Sequence, residues 1–202
     1  MHEPTDAVAG SDPHLSPDDM RLWLDDTRLW LERAVIGLNL CPFAKAVHTK
    51  GQIHWAVSRA TQPSALLQDL KSELNSLVAH DAAERDTTLL IAPLCLHNFL
   101  DFNDFLAQAD AVLAELDLQG IIQIASFHPQ FQFAGTLADD ITNFTNRAPY
   151  PTLHLLREAS VDRAVAAFPQ AEDIFEKNMQ TLRALGMAGW AALDVGPHGK
   201  MP

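Results

Sequence analysis

Residues 125–158 read ASFHPQFQFAGTLADDITNFTNRAPYPTLHLLRE, and the fold turns on how this stretch is taken. It begins and ends in strand-like sequence. Between lies a long polar connection carrying His128, Thr136, Asp139, Asp140, Asn143, Asn146 and Arg147. Most connections in compact domains run to a handful of residues, and longer ones are binding loops, lids or disordered segments. Phe127, Phe131, Phe133, Phe144 and Tyr150 give this one apolar surface to pack, unlike the aromatic-poor composition of disorder. The stretch is therefore expected to be an ordered loop that builds a site between two strands.

Upstream, Ile121–Ser126 (IIQIAS) and Thr87–Ala92 (TTLLIA) are short apolar runs suited to central strands buried on both faces, and Pro93 ends the second. Gln52–Ser58 alternates Ile53, Trp55 and Val57 against polar residues, the pattern of a half-buried strand. Helical spacing fills the gaps, through Trp23, Trp30, Leu31 and Val35 to about Leu38, through Leu66, Leu70, Leu74 and Leu77, and from Leu96 to about Leu116 with a local break possible at Asp101–Asp104. Ser16 as N-cap, Pro17 at the first helical position and two aspartates behind it open the first helix. Downstream, Thr152–Arg157 is a fourth strand, and Glu172–Leu185 a closing helix capped by Gly186. Strands separated by helices normally run parallel through right-handed crossovers. The expected architecture is one α/β or α+β domain over residues 16–188, with about four strands in a largely parallel sheet flanked by helices. Residues 1–15 are expected to be a disordered acidic tail, and residues 189–202 a loose C-terminal tail.

A chain of 202 residues suits one core. Its net charge of -12 and pI of about 5.0 argue against nucleic acid or an anionic membrane as partner, because both demand dense Lys and Arg. No run approaches the roughly 20 apolar residues of a membrane span, and the acidic N-terminus lacks the pattern of a signal peptide. The expected location is the cytoplasm, where Cys41 and Cys95 stay reduced.

Two residues carry the candidate chemistry. Pro42 breaks the first helix and opens a short one to about His48, which sets Cys41 at a positive helix end that favours thiolate. Beside Leu40 and Phe43, a packed and inert thiol is the competing reading. His128 stands just past the carboxyl end of the IIQIAS strand, at the edge where open α/β sheets bind ligands. A Cys and His within hydrogen-bond reach make a nucleophile and its base, so Cys41 with His128 is the candidate catalytic pair. His154 reads as a core or cross-strand residue, and His198 as a tail residue. Thr136, Asp140, Asn146, Arg147 and Arg157 are the candidate substrate contacts, the two arginines because a guanidinium fork suits a carboxylate or phosphate. Pairing of Arg147 with Asp139 or Asp140, pinning the loop, is the structural alternative. Gly135-Thr136 lacks the spacing of a phosphate-binding loop. Metal or haem ligation by Cys41, His48, His54, His128 and the loop aspartates has no CxxC or HExxH spacing behind it.

Five runs carry a family resemblance: VIGLNLCPFAKAVH (35–48), TTLLIAP (87–93), FLDFNDFL (99–106), IASFHPQFQFAGT (124–136) and NRAPYPTLHLLRE (146–158). Over residues 20–186 the chain resembles the bacterial family catalogued as domain of unknown function 1415. The family pattern reads Glu-Arg-Asn where this chain has Glu176-Lys177-Asn178. The resemblance implies no activity, cofactor or site residue. The first expectation is an enzyme acting through Cys41 and His128 on a small, anionic molecule. A metabolite- or protein-binding module is the alternative, and a metal or haem protein the third reading. The sequence leaves the oligomeric state open.

Overall fold

The computed structural model describes residues 16–167 and 171–198. The acidic tail expected at residues 1–15 lies outside them. Helix α1 (Pro17–Trp30) starts as its sequence dictates. Ser16 Oγ accepts the Asp19 N–H at 3.1 Å, and the Asp19 carboxylate returns to the Ser16 N–H at 3.2 Å, a reciprocal cap. A π-helical turn (Leu31–Ile36) continues it. Then follow α2 (Ala44–Thr49), β1 (Ile53–Val57), α3 (Pro63–Ala79), β2 (Thr87–Ile91), α4 (Phe99–Glu115), β3 (Ile122–Phe127), a 3-10 turn (Ile141–Asn146), β4 (Thr152–Arg157), α5 (Glu158–Ala166) and α6 (Ile174–Ala192). Asn98 caps α4 by accepting the N–H groups of Leu100 and Asp101, and the helix runs unbroken through Asp101–Asp104. Helix α5 carries no signal read in the sequence.

The four strands form one open sheet in the order β1-β2-β4-β3. The expected largely parallel sheet is corrected to a mixed one. Strands β1 and β2 pair in parallel, whereas β4 lies antiparallel to both β2 and β3. The reason lies in the connection after β3. Phe127 pairs with Thr152, so the chain re-enters the sheet at the end where it left. Without a crossover helix to carry it to the opposite end, antiparallel pairing follows. Strand β2 is central, with all five residues buried. IIQIAS, expected to be central, is an edge strand, with Ile121 half exposed.

The sheet separates two apolar layers. On one face Leu66, Leu70, Leu74 and Leu77 of α3 and Phe102, Phe105 and Ala109 of α4 cover Leu90, Leu153, Leu155 and Ile122. On the other, Trp23 and Trp30 of α1 pack with Ile91, Tyr150, Leu31 and Ala34, against Ile53, Trp55 and Phe127. The C-terminal stretch is tied down as far as residue 198. Gly186, at φ 66°, ends the first part of α6 as a C-cap does, but a second helical piece follows to Ala192, and Val195 is buried against Trp30. No helix among the described residues is long and apolar enough to cross a membrane.

Candidate functional site

The π turn delivers the chain to Cys41. The N–H groups just past the turn reach back five residues, Gly37 to the Glu32 carbonyl at 3.0 Å and Leu40 to that of Val35 at 2.9 Å, and Asn39 takes a left-handed φ of 55°. The half-buried Cys41 packs against the Trp30 cluster. Burial raises its pKa, and the Phe43 and Ala44 N–H groups aimed at the sulfur offset only part of that rise. The thiol is therefore protonated at neutral pH.

His128 is wholly buried on the opposite face. Its Nε2–H donates to the Leu96 carbonyl at 3.0 Å, its Nδ1 accepts the Gln130 N–H at 3.0 Å, and its ring lies 5.0 Å from Phe102 and 5.5 Å from Phe99. Burial lowers its pKa, so it is neutral. The structure does not bring Cys41 and His128 together. Side chains alternate along a strand, and Phe127, the neighbour of His128, takes the Cys41 side, its ring 5.1 Å from Trp30. With both nitrogens of His128 engaged, neither can receive a thiol proton.

Of the expected substrate contacts, Thr136, Asp140, Asn146 and Arg147 bond within the loop or to its ends, and Arg157 bonds to the end of α3. Buried Asn143 is its hub: Oδ1 accepts the Phe133 N–H and the Thr136 hydroxyl, and Nδ2 donates to the Leu137 carbonyl. Asp140 caps the 3-10 turn through the N–H and hydroxyl of Thr142, which lower its pKa. Asn146 accepts the His128 N–H at its carbonyl and donates from its side chain to the Ser126 carbonyl. Arg147 pins the loop, as the structural alternative held, but through the carbonyls of Phe131 and Ala138, with its guanidinium 4.3 Å from the Phe144 ring centre. Arg157 donates to the carbonyls of Leu77, His80 and Arg85, closing the end of α3.

A crevice of about 510 Å³ opens elsewhere on the expected edge, past the carboxyl ends of β1 and β2. Leu94–Asn98, Thr61 and one face of α4 line it, with Asp101, Asp104 and Gln108 as its outer polar groups and Phe105 as its floor. Leu96, in this wall, holds a left-handed φ of 59°, a costly conformation for a large side chain. The bond from His128 fixes the Leu96 carbonyl. His128 thus supports the crevice wall without lining the crevice itself.

Two further histidines stand out. Half-buried His154 lies between Leu89 and Ala125 in the register, on the Trp30 side, with its ring 6.3 Å from Phe127. It has no hydrogen-bond partner among the described residues, and burial lowers its pKa to about 4. His198, expected to be a free tail residue, binds the buried carboxylate of Asp26 at 2.7 Å, and Tyr150 binds the same carboxylate at 2.6 Å. The sequence holds no signal for this meeting of three distant segments. Among the described residues no three His, Cys, Asp or Glu side chains converge as a metal site.

The model of a protein family described as "Protein of unknown function (DUF1415)" matches residues 23–192. The chain belongs to the DUF1415 family. No curated protein and no solved structure matches it. The match takes in every element from within α1 to the end of α6, so Cys41, the crevice and the long loop are all parts of the DUF1415 domain.

Proposed function

We propose that this DUF1415 domain binds a small polar cation in the crevice beside α4. The observation that carries the reading is the crevice itself, a concavity of about 510 Å³ at the carboxyl ends of parallel strands, the place where open α/β sheets receive ligands. Its chemistry argues the ligand class. Asp101 and Asp104 stand on its α4 wall with no Lys or Arg among its lining groups, and the two arginines expected to bind an anion are engaged by carbonyls. Calorimetric titration with amines such as spermidine, arginine and amino sugars, against carboxylates and phosphates, tests it. Amines are expected to bind, and replacing Asp101→Asn together with Asp104→Asn to weaken them about tenfold or more, the worth of one charge-assisted hydrogen bond. Binding confined to anions, or indifferent to the two aspartates, overturns it.

A second reading keeps Cys41 as a reacting group, with His154 in place of His128. It rests on the shared face of the sheet and on the imidazole of His154, which has no hydrogen-bond partner among the described residues. If His154 assists the thiol, iodoacetamide should modify Cys41 faster than the buried Cys95, and His154→Leu should slow Cys41 about tenfold near neutral pH. Equal rates in the two proteins remove this reading.

A further inference from the structure

We infer that residues 193–198 form a strap, fastened to α1 through His198 and Asp26, that loosens from the Trp30 layer as pH rises. Asp26 is 4% exposed. Its Oδ2 accepts the Tyr150 hydroxyl at 2.6 Å and the His198 backbone N–H at 2.8 Å, and its Oδ1 meets His198 Nδ1 at 2.7 Å. The other ring nitrogen, Nε2, meets Asp194 Oδ1 at 3.2 Å. Arg33, from the π turn, holds the near end of the strap by donating to the Leu193 carbonyl at 2.9 Å, and it lies 3.8 Å from the Asp194 carboxylate. Beneath the strap, Leu193 and Val195 pack with Trp30, Leu31, Ala34 and Val35, the cluster that Cys41 also borders.

The fastening depends on charge because both ring nitrogens face carboxylates. An imidazolium donates from both, whereas a neutral imidazole has one N–H and turns a lone pair toward one of the two acids. Among the described residues, the charged groups facing the ring are Asp26 from α1 and Asp194 from the strap itself. Arg33 acts on Asp194, and Tyr150 acts on the far side of Asp26. The bonds to Asp26 and then Asp194 raise the His198 pKa above its ordinary value. The stabilisation is therefore complete below the ordinary histidine pKa of about 6.5 and is lost as pH rises through the raised value. The strap is therefore released progressively across that window.

Backbone hydrogen exchange of residues 193–198 in the full chain, corrected for intrinsic rates from about pH 6 to about pH 9 across the histidine range, tests the strap. Protection in the wild type is expected to fall in a step as pH rises above the ordinary histidine range. His198→Gln, which cannot ionise, is expected to be weakly protected at the lowest pH and to show no step, while β2 and β4 keep their protection in both proteins. A wild-type strap with no step, a variant as well protected as the wild type, or an equal loss in β2 each overturns the inference.

Discussion

At Arg147 and Arg157 the guanidinium forks meet backbone carbonyls that loops and a helix end would otherwise leave unpaired. Sequence displays such a donor but not the acceptors that folding will bring to it, so an anion-binding role and a stapling role look alike until the chain is closed. The histidines divide for the same reason. His128 follows one apolar strand and His154 lies within another, yet the first has both nitrogens bonded and the second has neither bonded among the described residues. For His154 the consequence is measurable. Its pKa falls from about 6.5 to about 4 through burial, so the unfolded chain takes up a proton that the native state refuses between those values. Stability is fully present above pH 6.5 and declines as pH falls toward 4, by up to about 3 kcal/mol. Urea denaturation of the wild type and His154→Leu between neutral pH and about pH 4.5 should show the larger loss in the wild type; identical slopes refute the assignment.

Among the elements, the long helices were legible because apolar periodicity and end signals agree: Ser16 caps α1 with Pro17 as its first residue, and Pro63 opens α3. The π turn at Leu31–Ile36 was not, since its apolar residues fit the α-helical spacing and only the reach of its hydrogen bonds differs. That turn sets the path to Cys41, and Gly37 is its tight point. A Cβ built there would stand 2.2 Å from the Arg33 carbonyl oxygen, at an ordinary helical φ of -62°. Gly37→Ala should therefore destabilise the protein by about 2 kcal/mol or more, as crowding a packed backbone does, and change the alkylation rate of Cys41 as the turn relaxes. Chemical denaturation reads the first effect. A loss below about 0.5 kcal/mol, the ordinary range of a surface substitution, speaks against the tight turn.

Across the whole molecule, the long connection of residues 128–151 has three consequences. It stays on one sheet edge and so reverses β4. It closes on Asn143, whose Oδ1 accepts from Phe133 and Thr136. Its last residues bring Tyr150 to Asp26, where His198 joins them. Sequence by itself determined what local periodicity and capping encode: four strands, the main helices, the buried run at residues 87–91 and the acidic balance of the chain. Tertiary structure alone decided the direction of β4, the opposite faces taken by Cys41 and His128, the meeting of Asp26 with His198 and the crevice beside α4. Strand spacing and helix caps are relations between near neighbours in the chain. Strand direction, the face a side chain takes and the partner of a charged group are set by which distant segments close upon one another, and that closure is written in no single stretch.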